Sequence, residues 1–429
     1  MGGFFGIASK EDSVQDLFYG TDYHSHLGTK RGGLAVANNN GILRYIHNIE
    51  TSQFRSKFEE DVRKLHGTRG IGVISDYEDQ PLIIRSHLGD FAIATVGIVR
   101  NLDALVESTF KARRVFFSEM RGGEINPTEA VAALISQEAT LVDGIRAAGE
   151  AVVGSCSMLL LTDRGVIAAR DRLGRTPIVI GRKAGAYAAA LETCAFPNID
   201  FETVRDLGPG EIALITADGV ETLSPPLATS QICSFLWVYY GYPASSYEGI
   251  NVESVRNRCG AFLARNDDVR IDIVAGIPDS GTGHGLGYAA EAGIPFRRPF
   301  VKYTPTWARS FMPQNQAIRD VVARMKLIPI ADNIKGRRLL FCVDSIVRGT
   351  QLKDTIQRLY DFGALEVHMR PACPPLVYGC PFLNFSRSKS EMDLAARKAI
   401  RELEGPEPGD LGEYTRAGSA KYEAMVASI

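Results

Sequence analysis

Apolar residues over roughly the first 230 positions fall in short runs broken by turn residues, as in "FAIATVGIVRN", "CSMLLLTDRGVIAARD" and "TPIVIGRKAGAYAAALE". Runs of this length bounded by turn formers predict strands. At least two stretches have helical spacing instead, "SKFEEDVRKLHG" and "PTEAVAALISQEA", so the first part of the chain reads as a sheet-rich α+β domain. The turn-rich segment "GVETLSPPLATS" closes it near residue 230.

Beyond that point the rhythm changes. "VRIDIVAGIPDSGTGHGLGYAAEAG" runs strand, glycine-rich loop, helix, and "RRLLFCVDSIVRGTQLKDTIQRLYDFGA" repeats the order, with Leu352, Ile356, Leu359 and Tyr360 at helical spacing. "ALEVHMR" supplies a further strand. Units of this kind build a parallel, doubly wound α/β sheet, whose ligands gather at the carboxyl ends of the strands. The tail "EGPEPGDLGEYTRAG" reads as loop before a last short helix.

Composition narrows the classes. The 429 residues suffice for two or three domains, with the 45% hydrophobic and 23% charged content of an ordinary globular protein. A net charge of -2 leaves no basic excess, so neither a nucleic-acid partner nor a membrane partner is expected. No apolar run approaches the roughly 20 residues that span a bilayer. The first residues lack a signal peptide's basic start, and Gly6 stands where a myristoylation motif needs Ser or Thr. The expected location is the cytoplasm. Cys156, Cys194, Cys233, Cys259, Cys342, Cys373 and Cys380 are odd in number and scattered. They predict reduced, mostly buried thiols rather than a disulfide frame or a zinc site. His24 and His26 form a His-x-His, but with no carboxylate pattern nearby they read as structural residues.

Candidate chemistry sits in "LLFCVDSIVRGTQ", where an apolar strand runs into Asp344 and opens through Ser345, Ile346, Val347, Arg348, Gly349 and Thr350 before a helix. Successive backbone N–H groups, the Ser345 and Thr350 hydroxyls and the helix dipole together make a phosphate cradle. Gly349 lets the backbone come close, and Asp344 is placed to accept hydrogen bonds from sugar hydroxyls beside the phosphate. The same spacing describes an Asp-Ser helix cap followed by glycine, a common local feature, so alone it leaves both readings open.

It does not stand alone. "VAGIPDSGTGHGLGYAAEAGIPF", "ARSFMPQNQAIRDVVARMKL" and "FCVDSIVRGTQ", in this order and spacing, resemble the glutamine phosphoribosylpyrophosphate amidotransferases. "GVIAARDRLGRTPIVIG", "LETCAF" and "VRDLGPGEIALI" extend the resemblance through the first half. It implies an Ntn-hydrolase-like glutaminase sandwich over residues 1–230, joined to a type I phosphoribosyltransferase domain over 231–429 with a short C-terminal extension. It also implies glutamine hydrolysis at an N-terminal Cys, with the ammonia displacing pyrophosphate from C1 of phosphoribosylpyrophosphate (PRPP) in the second domain.

Set against this chain, the family's glutaminase parts are missing. An N-terminal nucleophile needs a Cys, Ser or Thr side chain, yet its position falls on Gly2 or Gly3. The family's His-Asn-Gly turn falls on Thr95, Val96 and Gly97, putting Val96 where an oxyanion donor belongs. Losing one such donor costs roughly 3 to 4 kcal/mol. The acid that anchors the glutamine amino group falls on Pro127, and only Arg69 matches a family position, the carboxylate-binding Arg. The first domain is expected to be a glutaminase fold without glutaminase chemistry.

The second domain keeps more. Asp279, Ser280, Gly281 and Thr282 match the family's pyrophosphate loop, and Asp344 to Thr350 its 5-phosphate and ribose loop. Lys302, Arg309 and Lys326 match pyrophosphate-binding positions, and Gln316 and Arg319 also align. Mg2+ is expected to accompany PRPP on Asp344 and Ser280. Two departures stand out: Val343 replaces the first of two consecutive acids, and the flexible loop reads "KYTPTWARSF", with Pro305 and Trp307 added. Cys233 and Cys380 occupy two of the four positions of a family iron–sulfur cluster, and Cys373 adds only a third. No cluster is expected, and Cys233 and Cys380 read as buried thiols.

The resulting expectation is a glutamine-independent phosphoribosyltransferase that moves the phosphoribosyl group of PRPP to ammonia or another small amine. The alternative is a non-catalytic PRPP- or nucleotide-binding member that regulates or scaffolds a partner. A homo-oligomer and a separate ammonia-supplying enzyme are the protein partners the resemblance leaves open.

Overall fold

The computed structural model describes residues 2–38, 40–111, 117, 120–121, 124–303, 326–380, 382, 391–406 and 408–429. Its first part is two antiparallel sheets packed face to face. One has seven strands in the order Glu202–Asp206, Val179–Lys183, Ala186–Ala190, Gly3–Ser9, Arg69–Ser75, Arg31–Asn38 and Gly41–Asn48. The other has six, in the order Val220–Ser224, Ile212–Ile215, Val166–Ala169, Gly154–Leu161, Gly89–Val99 and Leu82–Ser86. Phe4, Ile71 and Val73 of the first meet Leu159, Leu161 and Val166 of the second in a fully buried core.

The alternate residues Phe5, Ile7, Leu34 and Val36 turn outward against helices Val14–Asp22 and Phe54–Val62. A strand buried on both faces needs an unbroken apolar run, which is why "GFFGIAS" shows no polar alternation. Helices Pro127–Ile135 and Leu141–Ala151 cover the six-stranded sheet through Val131, Ile135, Ile145 and Ala148. Asn126 caps the first by accepting from the Thr128 N–H at 2.9 Å, and Thr140 caps the second from the Asp143 N–H at 3.1 Å. The two expected helices fall on Phe54–Val62 and Pro127–Ile135. Helix Val14–Asp22 was not anticipated, since Gly20 and Thr21 in its last turn are weak helix formers.

The second part holds three parallel strands, Ile273–Gly276, Arg338–Val343 and Glu366–Pro371, in that order. Phe296 bridges Val274 in parallel on the far side of the first. The chain therefore winds one way from Ile273–Gly276 and the other way into Arg338–Val343, making a switch point between them. Leu339 and Phe341 pack with Leu359 on one face, and Leu340 and Cys342 with Tyr288 and Ala289 on the other, so helices lie on both sides. Beyond Glu404, the described residues of the tail "EGPEPGDLGEYTRAG" are loop apart from the short 3-10 turn Leu411–Thr415, and the expected last helix follows. Helices Ala395–Glu404 and Ala420–Ser428 share a small core with Tyr414 from the intervening turn.

Polar contacts tie the two parts together. The buried Arg170 guanidinium donates to the Gly174 carbonyl and to Glu248, each at 2.6 Å. Arg175 stacks 3.5 Å above the Phe382 ring and donates to Gln231 at 2.5 Å. The thiols correct the sequence reading. Cys156, Cys194 and Cys342 are buried, but Cys233, Cys259 and Cys373 are half-buried and Cys380 is exposed, because it lies in the surface connection after the last strand. Among the described residues no helix is long and apolar enough to cross a membrane.

Candidate functional site

Strands Ile273–Gly276 and Arg338–Val343 end side by side, and the loops that leave them face each other. Asp344 is the hinge of the arrangement: it accepts from the Ser280 hydroxyl at 2.5 Å and from the Ser345 hydroxyl at 2.6 Å. Helix Gly281–Ala292 starts directly against the neighbouring strand, which only glycine permits, since a Cβ on Gly281 would sit 2.4 Å from the Cys342 carbonyl oxygen. The other loop turns into helix Thr350–Asp361 at Gly349, whose φ of 76° is left-handed. The Val347 carbonyl accepts from the Ala395 N–H at 2.8 Å, so the C-terminal helices brace this loop.

Lys302, at the end of strand Phe300–Lys302, is ion-paired with Asp279. Lys326 lies exposed beside it, its carbonyl accepting from the Tyr303 N–H at 2.9 Å. The structure thus gathers Asp279 to Thr282, Lys302, Lys326 and the segment from Asp344 to Thr350 at one end of the sheet. Val343 is buried in the strand just before. Pro305, Trp307, Arg309, Gln316 and Arg319 lie outside the described residues. One carboxylate with an adjoining hydroxyl is the protein donor set Mg2+ uses when a bound diphosphate and water supply its other ligands. Asp344 and Ser280 fit such an ion. Among the described residues no group of three or more His, Cys, Asp and Glu is disposed to hold a metal alone.

In the first part, a cavity of about 240 Å³ is lined by Gly2, Ser75, Glu78, Val96, Pro127 and Cys156. Gly2, Val96 and Pro127 come together as the sequence reading requires. Arg69 does not join them. It pairs with Ala8, at the opposite end of strand Arg69–Ser75, and donates to the Asp163 carbonyl. Six residues of strand amount to roughly 20 Å, and Ser75 stands at the cavity end instead. The walls are also closed to a side chain at the start of the strand: a Cβ on Gly2 would lie 2.1 Å from the Ile74 carbonyl oxygen, and one on Gly3 2.6 Å from the His24 Cβ. Tyr240 of the second part donates its hydroxyl to the Gly2 carbonyl at 3.3 Å.

Cys156, distant in sequence, reaches this wall through its pairing with Gly97. Burial pushes its thiol up to about 12, so it is no nucleophile at neutral pH. Gly2→Cys is therefore expected to give no glutamine hydrolysis and to lower stability by about 1 to 3 kcal/mol through overpacking. Glutamate release and the urea midpoint check it; any glutamate release would count against a closed site.

A larger cavity, about 930 Å³, lies between the two parts, with Tyr23, His26 and Arg55 on one side and Tyr242, Asp279 and Lys302 on the other. Behind its wall is Glu192, fully buried. One carboxylate oxygen lies 2.8 Å from His26 Nε2; the other accepts from the Tyr247 hydroxyl and from the Tyr242 N–H at 3.2 Å. Burial alone would raise this carboxyl, but His26, Tyr247 and His24 outweigh it and hold it at about 2. His24 donates from Nδ1 to the Gly20 carbonyl at 2.9 Å and accepts from the Glu192 N–H at 3.3 Å. Burial lowers it to about 4, so it is neutral.

The turn Leu236–Tyr240 that leads into the second part is gripped from behind. Arg256 donates to the carbonyls of Trp237, Tyr239 and Gly241, and His284 to that of Val238. Sequence reasoning missed Glu192 and Arg256. Tyr247 is 55 residues from Glu192, and no local spacing signals such a pair.

An antiparallel sandwich joined to a doubly wound unit with two facing loops at its switch point defines the class: a two-part protein of the phosphoribosyltransferase type. No protein-family model matches the chain. It is 32% identical over 393 residues to the amidophosphoribosyltransferase of Archaeoglobus fulgidus, covering 88% of this chain and 83% of that one. Against the Bacillus subtilis amidophosphoribosyltransferase it is 31% identical over 415 residues, 94% of this chain and 85% of that one. The solved glutamine PRPP amidotransferase from B. subtilis, complexed with ADP and GMP, matches with a TM-score of 0.83 at 28% identity, over 99% of this chain and 92% of that one. The chain belongs to the amidophosphoribosyltransferase family.

Proposed function

We propose that this chain is a PRPP-dependent phosphoribosyltransferase that transfers to ammonia or another small amine, releases pyrophosphate and does not use glutamine. The observation that carries the reading is the contrast between its two ends. Two loops face each other across the Ser280–Asp344 hydrogen bond, while Gly2, Val96 and Pro127, the positions matched to the family's nucleophile, oxyanion amide and amino-group acid, line the small cavity without those side chains.

In this reading the diphosphate of PRPP lies on Asp279 to Thr282 and Lys302, the 5-phosphate on Ser345 to Thr350, and the ribose hydroxyls on Asp344. Mg2+ would be held by Asp344, Ser280 and the diphosphate, and would neutralise charge on the leaving group. Such a transfer asks for an oriented donor and stabilised charge more than for acid–base groups. Buried Val343 supports a second reading, a non-catalytic PRPP-binding member that regulates a partner, because one acidic group is gone from the strand end.

The test is pyrophosphate release from PRPP and Mg2+ with glutamine, with ammonium and with a panel of small amines. Release with ammonium or one amine, and none with glutamine, is the expected result. Glutamine-driven release would overturn the proposal. Calorimetric PRPP binding without any release would select the second reading.

A further inference from the structure

The cavity of about 930 Å³ between the two parts is the size of a small-molecule site, far larger than ammonia needs. Asp279 and Lys302 belong to its lining, so it borders the loop on which the diphosphate of PRPP is placed above. A molecule lodged there stands next to the donor. Small residues keep the space open on both sides, Gly28 and Ser52 from the first part and Ala244 from the second.

The lining narrows what the space holds. On the wall of the first part the charges already have counterparts: Arg55 lies 3.0 Å from Asp22, and His26 lies 2.8 Å from the carboxylate of Glu192. That wall calls for no ionic substituent. Its other groups are neutral and polar. Among the described residues the Thr51 and Ser52 hydroxyls and the Gln53 side-chain amide, consecutive on this wall, make no hydrogen bond within the protein. Hydroxyls and amides both donate and accept, and so match a substituent that does the same. An acceptor with plain carbon in that place would displace water from these groups and leave them unpaired, which costs affinity. Ammonia would reach none of them from the donor.

We propose that the acceptor is a primary amine carrying hydroxyl groups, an amino alcohol or amino sugar. It sits in the cavity between the two parts, with its hydroxyls on Thr51, Ser52 and Gln53 and its amino group toward the pyrophosphate loop. The inference rests on the amine transfer proposed above and names its substrate class. The lone pair of the neutral amine forms the bond to C1 as the C1–O bond breaks, and the electron pair of that bond leaves on pyrophosphate. The excess proton on nitrogen then passes to pyrophosphate or water.

The experiment measures pyrophosphate release with saturating PRPP and Mg2+ at about pH 8.5, each amine being counted as free base. The acceptors are ammonium, serinol, and the branched amine in which methyl groups replace both serinol hydroxyls. Wild-type kcat/KM for serinol should exceed that for either of the others by at least about tenfold, since a site built to hydrogen-bond a hydroxyl rejects the analogue that lacks it. Ser52→Trp and, from the facing part, Ala244→Trp should each lower the serinol-to-ammonium ratio by at least about tenfold, because they fill room that only the larger acceptor needs. Calorimetric PRPP binding should be unchanged.

Ammonium or the methyl analogue serving as well as serinol would overturn the assignment, and this wild-type comparison stands even if neither variant folds. So would a ratio that survives both substitutions, or variants that lower serinol and ammonium turnover equally, as a disturbed fold would. Wild type releasing nothing with any amine while binding PRPP would overturn the transfer reading as well. The other failures leave that reading in place and remove only the cavity's role in it.

Discussion

Asp344→Asn is expected to lower PRPP-dependent pyrophosphate release by about 10²- to 10³-fold in kcat/KM with little change in stability. Asp344 accepts from Ser280 at 2.5 Å and from Ser345 at 2.6 Å, one hydroxyl on each carboxylate oxygen, so it holds the two facing loops in register. Asparagine offers one acceptor where the carboxylate offers two, and no charge for sugar hydroxyls or for Mg2+. Hydrogen bonds to charged groups are worth roughly 1.5 to 3 kcal/mol each, and losing the equivalent of 3 to 4 kcal/mol is a factor of about 10² to 10³. Asp344 is only half-buried, which keeps the cost to folding small. Steady-state kinetics with calorimetric PRPP binding decides the matter. A variant retaining half of wild-type kcat/KM would remove Asp344 from the site.

This part of the molecule was legible in the sequence because its signals are local. Asp344 to Thr350 and Asp279 to Thr282 are continuous segments at strand ends, and a strand, loop, helix order leaves the loop little choice of place. The sandwich was legible as a class for the same reason, through apolar runs with no polar alternation. What escaped were pairs made across the fold. Arg69 is a correct residue type in a wrong place, because nothing local to "HGTRG" tells which end of its strand faces the cavity. Cys156 reaches the wall beside Gly2 only through the register of two strands nearly sixty residues apart in sequence. The partner that His24 and His26 share, Glu192, is reached only when the chain returns to the same sheet far downstream.

Glu192→Ala is expected to destabilise the protein by about 3 to 5 kcal/mol, the usual consequence of removing one member of a buried, hydrogen-bonded charge cluster. The Tyr247 hydroxyl and the Tyr242 N–H would lose their acceptor, and His26 the carboxylate beside it, inside the joint between the two parts. The same cluster sets an acid limb. The Glu192 carboxyl stands at about 2 in the folded protein against an ordinary 4.5, so its contribution is complete above pH 4.5 and is lost as pH falls toward 2. His24 stands at about 4 against 6.5; held neutral by burial, it contributes fully above pH 6.5 and loses that contribution between pH 6.5 and 4, up to about 3 kcal/mol. Both act in one direction. Urea midpoints should fall steadily from pH 6.5 downward in wild type, with the limb below pH 4.5 flattened in the Ala variant. Midpoints that hold level from pH 7 to 4 would contradict the burial of these groups.

The turn Leu236–Tyr240 is gripped by Arg256 and His284 from the second part, while Tyr240 reaches Gly2 and Tyr242 and Tyr247 reach Glu192 in the first. The sandwich is thereby a folding partner of the parallel unit, whatever chemistry it retains. Gene truncation at the joint would strand a buried carboxylate on one side and leave the turn's aromatic side chains exposed on the other. Substitutions inside the small cavity therefore leave this joint in place, whereas removal of the whole sandwich takes away the groups that Tyr240, Tyr242 and Tyr247 bind.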